Sequence, residues 1–202
     1  MYRQSMTSIV WFRRDLRLED QAALLAAVAR GRPITPVYIL DDETPKHRRM
    51  GGASRWWLHH SLKALDASLR ERGSRLILRR GSAPQVLAQL AREVGASAIH
   101  CLRHYEPWWR NAERAVQEIL PVGTALIRHE GLYLLPPGSV KTGSGGQFKI
   151  YTPFWRALAQ HMPPAKPRAA PDHIPAPEQW PESDDLDSWG LLPSKPDWAG
   201  GM

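Results

Sequence analysis

This 202-residue chain contains a single cysteine, Cys101. One cysteine excludes an internal disulfide and a metal site built from several thiolates. The sequence also lacks an apolar run close to the roughly 20 residues of a membrane-spanning helix, and its N-terminus lacks the apolar core of a signal peptide. These absences predict a cytoplasmic protein with no membrane partner.

Glycine-rich nucleotide-binding motifs are missing as well. The first apolar run, SIVWF, is followed by charged residues at positions 13–17, where a dinucleotide-binding fold has G-x-G-x-x-G. The chain also lacks the G-x-x-x-x-G-K-[ST] phosphate loop and the G-x-S-x-G turn of many hydrolases. GSGG at residues 143–146 stands in neither sequence context, so we expect a flexible loop there. These absences argue against a phosphate-cradling nucleotide enzyme and against a serine hydrolase.

Tryptophan, proline and positive charge are abundant instead. The chain has nine tryptophans and 18 prolines, and 27 Lys and Arg against 20 Asp and Glu give a net charge of +7. Large aromatic side chains fill cores, line pockets or become buried in interfaces. A basic balance is compatible with an anionic partner such as nucleic acid.

Short apolar or β-branched runs alternate with stretches of helical period. Five runs predict strands: SIVWF, ITPVYIL, RLILRR, SAIHCL and TALIRH. Leucines spaced by four, three and four residues predict a helix from about Ser54 to Arg72, ended by Gly73. Further helices are expected after Asp20, between Ser82 and Gly95, and after Pro107. This alternation predicts an α/β fold, with a doubly wound, Rossmann-like sheet of five parallel strands covered by helices on both faces.

The last 42 residues differ from the rest of the chain. They hold half of the prolines and show neither the helical nor the strand period. We therefore expect an α/β domain over residues 1–135, a loop and short helix over 136–160, and an extended Pro- and Trp-rich linker over 161–202. Trp180, Trp189 and Trp198 are poor choices for a solvated linker. We expect them to lack a partner in this domain, leaving the chain after about residue 165 disordered or buried against a second copy.

A ligand site is expected at one edge of the predicted sheet. In open parallel sheets, ligands bind beyond the carboxyl ends of the strands, where the strand order reverses. The residues that follow the five predicted strands mix both charges with aromatic neighbours, and they are 13–17, 41–43, 81–82, 103–106 and 129–131.

Several motifs, taken in order, resemble those of a known family. They are IVWFRRDLRLEDQAAL, GGASRWWLHHSLKALDASLRERGSRLILRRG, YEP, GSGGQFKIYTPFW and LLPSKPDWAGG. Their order and spacing resemble the N-terminal domain of the DNA photolyase and cryptochrome family over essentially the whole chain. The resemblance is strongest to bacterial photolyases that repair cyclobutane pyrimidine dimers.

The resemblance implies a light-harvesting domain of a two-domain flavoprotein. In such a protein, an antenna chromophore passes light energy to reduced FAD, which donates an electron that splits the dimer. FAD and the dimer would bind to a C-terminal domain absent from this chain, so no residue here is expected to be catalytic. A cryptochrome-like blue-light photoreceptor is the alternative, and a nucleotide-binding domain like that of electron-transfer flavoproteins is a weaker one.

The resemblance also implies roles for individual residues. The positions that match the antenna cleft of the family are Arg13, Leu40, Asp41, Arg55, Glu106 and Trp109. Asp15 and Arg17 are expected to brace the junction with the flavin domain. Gln21 replaces an asparagine usual in the family, a change expected to have little consequence for chemistry. No metal site is expected.

For the pigment and the partners, the resemblance implies more than one possibility. The pigment would be a deazaflavin or methenyltetrahydrofolate, or the cleft would be empty. Trp108 and Trp109 stand where folate-type members have Asn-Glu, which weakens the folate assignment. The implied partners are the C-terminal FAD-binding domain and, through the full-length protein, UV-damaged DNA. Self-association through an exposed tail is a further expectation.

Overall fold

The computed structural model describes residues 6–42 and 49–200. These ranges contain a sheet of five strands: β1 (Thr7–Phe12), β2 (Ile34–Leu40), β3 (Ile77–Arg80), β4 (Ala96–Leu102) and β5 (Ala125–His129). Their spatial order is β3-β2-β1-β4-β5, and every neighbouring pair is parallel. The five predicted strands and the doubly wound α/β arrangement are confirmed.

Helices connect the strands and follow the last one. They are α1 (Ala22–Ala29), α2 (Gly52–Arg70), α3 (Ala83–Glu93), α4 (Pro107–Ile119) and α5 (Tyr151–Ala159), with a short 3₁₀ helix at Asp187–Trp189. The leucine stripe of α2 is buried, as its spacing predicts. Gly73 and Gly95 follow α2 and α3 with φ of +79° and +60°, values that glycine adopts without steric cost. None of the helices in the described ranges has the length and apolarity to cross a bilayer.

The start of α3 shows how the sheet edge is tied together. Ser82 occupies the N-cap position, as expected, but its hydroxyl contacts Gln85 and not a main-chain N–H of the helix. The carboxylate of Asp41, which follows β2, accepts the free N–H of Ala83 at 3.0 Å. A helix begins with unpaired N–H donors, and an acidic side chain both pairs one and complements the helix dipole.

The alternating side chains of β1 enter two separate cores. Val10 and Phe12 pack with α1 and α2 on one face of the sheet. Ile9 and Trp11 pack with α3 and α4 on the other. Because both faces are covered, all six residues of β1 are buried.

The strand order places a crevice at the centre of the sheet. The chain runs outward from β1 to β2 and β3, and then crosses to β4 and β5 on the other side. β1 and β4 are therefore neighbours whose following segments diverge, and a crevice opens beyond their carboxyl ends.

The C-terminal segment 168–191 wraps around the α/β domain. Among the described residues its main chain bonds to the domain at four places, from Asp20 to the carbonyl of Arg168, from Ile174 to that of Arg72, from Ile34 to that of Pro175, and from Asp184 to that of Leu78. The N–H of Leu78 in turn donates to the hydroxyl of Ser183 at 2.9 Å. The segment therefore covers β3, which otherwise ends the sheet as an unpaired edge.

The tryptophans of this segment find partners inside the chain. Trp189 is 4% exposed, lies 6.2 Å from the ring of Tyr38 and donates its indole N–H to Asp184. Trp180 stacks under the guanidinium of Arg75 at 5.0 Å. The expectation that these residues lack a partner in this domain is therefore wrong, and the packing removes the reason to expect self-association. The error arose because the linker's partner lies far away in the sequence.

Replacing Trp189 with Ala should lower the free energy of unfolding by about 3–5 kcal/mol, because it empties a large buried site. Trp198 is 42% exposed, so Trp198→Ala should change stability by no more than about 0.5 kcal/mol. Urea denaturation followed by circular dichroism measures both. Equal effects of the two substitutions would show that the tail does not pack as described.

Two histidines form a pair between β4 and β5. Nδ1 of His100 lies 3.0 Å from Nε2 of His129, and the rings stack with centroids 5.2 Å apart. Burial, and then the neighbouring His129, lowers the pKa of His100 from its ordinary value of 6.5 to about 4. The folded chain therefore holds His100 neutral at pH values where the unfolded chain protonates it.

This pair predicts a loss of stability in acid. The stability that the neutral His100 allows is fully present above pH 6.5. It is lost as the pH falls from 6.5 towards 4, because in that range only the unfolded state gains the proton. When the pH is lowered from 7 to 4.5, the free energy of unfolding should decrease in both proteins. The decrease should be about 2 kcal/mol smaller in His100→Leu than in the parent chain. Denaturant titrations at the two pH values test this, and parallel losses would contradict it.

Candidate functional site

A cleft of about 360 Å³ lies at the carboxyl edge of the sheet. Four of its lining side chains are aromatic: Trp11, Tyr38, Trp108 and Trp109. The charged groups that reach it are Arg13, Arg14 and Asp41. An aromatic wall with a few convergent charges at a switch point is the usual form of a small-molecule site. A larger groove of about 1100 Å³, lined in part by Trp180, lies away from this edge and lacks that combination.

Arg13 is the central charge of the cleft and is buried. Its Nη1 lies 2.8 Å from Oε1 of Glu113 on α4, and both side chains are 1% exposed. Its Nη2 donates to the carbonyl of Leu102 at the end of β4. Arg128 on β5 lies 3.6 Å from the other oxygen of Glu113. A buried guanidinium requires such partners, because an unpaired charge in this environment would cost several kcal/mol.

The guanidinium also orients the aromatic wall. It lies 4.6 Å from the ring of Trp11 and 5.0 Å from the ring of Trp109. The two indoles meet edge to face, with centroids 6.4 Å apart and an interplanar angle of 71°. Cation–π contact and edge-to-face packing both favour this geometry, so Arg13 holds one side of the cleft in place.

The loop after β1 is held by side chains in place of a glycine turn. The carboxylate of Asp15 accepts the main-chain N–H of Arg13 at 3.1 Å and the side-chain amide of Gln21. Gln21 in turn accepts the N–H of Ala23 at 3.0 Å and so caps α1. Asp15 is 2% exposed and Gln21 is fully buried. The structure gives Gln21 a structural role, and the expectation that it has little consequence for chemistry stays a prediction.

The two residues expected to brace a domain junction lie in different environments. Asp15 is buried, so it can influence a neighbouring domain only through the loop that it holds. Arg17 is exposed and donates to the carbonyl of Gly131 at 3.1 Å and to that of Asp20 at 3.3 Å. Arg17 therefore joins the segments that follow β1 and β5.

His104 packs behind the cleft. Its ring lies 5.1 Å from that of Trp109, and it is 3% exposed. Burial, and then the charge of Arg13, lowers the pKa of His104 to about 4. The imidazole is therefore neutral at physiological pH. Trp109 thus lies between a permanent cation and a neutral ring.

Glu106 lies beside the cleft. It occupies the N-cap position of α4 and lies 3.2 Å from Arg14. Arg14 lines the cleft and its side chain is 62% exposed. The carboxylate of Glu106 therefore pairs with an exposed cation of the cleft and is not itself one of the lining residues.

The six positions expected to line the cleft are only partly brought together. Arg13, Asp41 and Trp109 line it. Leu40 is fully buried in the core with α1 and α2, so its side chain does not reach the cleft. Arg55 pairs with Asp42 at 2.7 Å and donates to the carbonyl of Met50 at 3.2 Å, so it acts on the cleft only through the segment before α2. Glu43, in one of the expected stretches, lies outside the described residues.

Several lining residues were missed by sequence reasoning. Tyr38, Met50 and Trp108 contribute apolar surface. Burial raises the pKa of the Tyr38 hydroxyl, so the ring stays uncharged. The positions of Trp11 and Tyr38 in the sequence could have predicted that they line the cleft, because they stand one and two residues before the ends of adjacent strands. In residues 6–42 and 49–200, no three His, Cys, Asp or Glu side chains converge as metal ligands.

The fold and the cleft together define a doubly wound α/β domain with a cleft lined by aromatic side chains at its switch point. A family model described as DNA photolyase matches residues 8–177. The chain belongs to the DNA photolyase family, and the family resemblance of the sequence is confirmed.

Individual relatives agree with this assignment. The chain is 45% identical over 192 residues to the deoxyribodipyrimidine photo-lyase of Agrobacterium fabrum, covering 95% of this chain and 40% of that protein. It is 36% identical over 170 residues to Cryptochrome-1 of Arabidopsis thaliana, covering 83% of this chain and 25% of the relative. A class III photolyase crystal structure from Agrobacterium tumefaciens superposes with a TM-score of 0.85 at 42% identity, covering 96% and 40% of the two chains. The chain thus spans less than half the length of these relatives.

Removing the partner of Arg13 should destabilise the chain strongly. Glu113→Ala leaves a buried cation unpaired and should lower the free energy of unfolding by about 3–5 kcal/mol. The double variant Arg13→Met, Glu113→Leu should recover part of this loss, because neither charge remains. Arg14→Ala, which breaks an exposed ion pair, is the control and should cost no more than about 1 kcal/mol. Similar losses for Glu113→Ala and Arg14→Ala in urea titrations would overturn the assignment.

Proposed function

We propose that this chain is the N-terminal light-harvesting part of a deoxyribodipyrimidine photolyase, which repairs UV-induced cyclobutane pyrimidine dimers by light-driven electron transfer from reduced FAD. The shared family, and 45% identity to a protein of that name over 95% of the chain, support this function. FAD and the damaged DNA bind to a C-terminal domain of the full-length protein, which is also the partner of this domain. The proposal retains the cytoplasmic location predicted from the sequence.

The cleft is the structural feature that supports a role in light harvesting. Its aromatic wall can stack on a planar heteroaromatic ring, and its volume of about 360 Å³ suits one compact ring system with little else. Arg14, at the entrance, can pair with an anionic substituent. A pigment bound there would absorb light and pass the energy on.

The class of pigment is a deazaflavin or methenyltetrahydrofolate. Both present a flat, partly polar ring that indole faces can hold. Trp108 and Trp109, at the positions of Asn-Glu in folate-type members, favour stacking over hydrogen bonding to a pterin edge. Arg55 pairs with Asp42 outside the cleft wall, so it supports neither pigment directly. The two are best distinguished by titration.

A cryptochrome-like photoreceptor is the second candidate. The 36% identity to Cryptochrome-1 over 83% of the chain favours it, because this half of the molecule is similar in both classes. The classes differ in output, which is repair in one and signalling in the other. The full-length protein, illuminated with blue light in the presence of dimer-containing DNA, should restore intact pyrimidines. Absence of repair with FAD bound and reduced would favour the photoreceptor.

Pigment binding can be tested on this chain. Purified protein should shift the absorption band of 8-hydroxy-5-deazariboflavin or of 5,10-methenyltetrahydrofolate, and the band that shifts identifies the pigment. Trp108→Ala should weaken that binding by about 5- to 100-fold, because one stacking surface is lost. Trp57→Ala removes an exposed indole on α2, outside the cleft, and should leave the affinity unchanged. Failure of both pigments to bind would overturn the antenna assignment.

A further inference from the structure

Two indoles of the cleft wall are in contact with a buried cation. The guanidinium of Arg13 lies 4.6 Å from the ring of Trp11 and 5.0 Å from that of Trp109. The Arg13 side chain is 1% exposed and Trp11 is 2% exposed. Water therefore screens this charge poorly, and its effect on the rings is larger than that of a surface cation.

The charges around Arg13 leave this effect in place. Glu113 pairs with Arg13, and Arg128 lies near the other oxygen of Glu113, so the three groups carry one net positive charge. The buried carboxylate of Asp15 offsets part of this charge, but it bonds to the main-chain N–H of Arg13, whereas the guanidinium is the charged group in contact with the indoles. His104, the other ring against Trp109, is neutral at physiological pH. The carboxylate of Glu106 lies 3.6 Å from its Nδ1 but is paired with the cation of Arg14.

A tryptophan wall presents a difficulty for a light-harvesting site. Indole is an easily oxidised side chain, and an excited heteroaromatic ring in contact with it can take one electron from it. The indole then becomes a radical cation, and return of the electron leaves both rings in the ground state. The excitation is lost as heat before the energy can be transferred.

We propose that Arg13 protects the cleft tryptophans from photo-oxidation, so that a bound pigment keeps its excitation. A positive charge on Trp11 or Trp109 would be created about 5 Å from the buried guanidinium, and like charges at that distance in a poorly screened site repel strongly. The cation–π attraction, which favours the neutral indole, would also be lost on oxidation. The relevance to light harvesting rests on the proposed function of the cleft.

Three variants separate charge from packing. Arg13→Lys keeps a cation, and Glu113→Gln keeps Arg13 while loosening its ion pair. The double variant Arg13→Gln, Glu113→Gln loosens the same contact and removes the cation. Only the double variant should make the cleft indoles easier to oxidise, whereas a packing effect would appear in Glu113→Gln as well.

The first measurement needs no pigment in the cleft. Each protein is illuminated with blue light in the presence of free riboflavin, and oxidised tryptophan is quantified by peptide mass spectrometry. Trp57, 69% exposed and outside the cleft, is the internal reference. The ratio of oxidised Trp109 to oxidised Trp57 should rise about three- to tenfold in the double variant relative to Glu113→Gln. It should stay within about twofold of the parent chain in Arg13→Lys, which retains the charge.

The second measurement uses 8-hydroxy-5-deazariboflavin bound to the chain. Its fluorescence lifetime should shorten at least about threefold in the double variant and stay near the parent value in Glu113→Gln. An equal oxidation ratio in the double variant and in Glu113→Gln overturns the protective role of Arg13. If neither the deazaflavin nor 5,10-methenyltetrahydrofolate binds while the oxidation ratio rises, the protection by Arg13 stands and the antenna assignment falls.

Discussion

The buried ion pair between Arg13 and Glu113 is the interaction on which the cleft depends. A guanidinium at the end of a central strand cannot remain buried without a partner, because desolvation of an isolated charge costs more than a domain of this size can offset. The pair therefore ties the end of β1 to α4, and the second bond to Leu102 ties it to β4. With both elements held, Trp109 can lie only where the guanidinium and Trp11 permit.

The loop beyond β1 follows from the same constraint. A glycine turn lets the main chain approach a phosphate, whereas here Asp15 and Gln21 use their side chains to bond the main chain and to cap α1. The loop is therefore held by its side chains, and the N–H groups of Arg13 and Arg17 are already bonded within it. Such an edge suits the orientation of a flat ring better than the binding of a pyrophosphate.

The C-terminal segment contributes to the same domain from outside the sheet. By bonding to Leu78 and burying Trp189 against Tyr38, it covers the edge strand and supports the strand that also carries part of the cleft wall. An exposed parallel edge would invite pairing with another chain, and this segment occupies it. The segment is thus a structural part of the α/β domain.

The sequence by itself determined the strands, the main helices, the family and the edge where the cleft lies, because periodicity and turn residues are local signals and the motifs stand in order. It predicted Arg13, Asp41 and Trp109 in the cleft. It could not place Leu40, which is fully buried in the core with α1 and α2, or Arg55, which pairs with Asp42. It also missed Tyr38 and its contact with Trp189, which lies 151 positions further along the chain. These depend on how deeply each side chain is buried and on contacts between separate elements of the fold, which only tertiary packing decides.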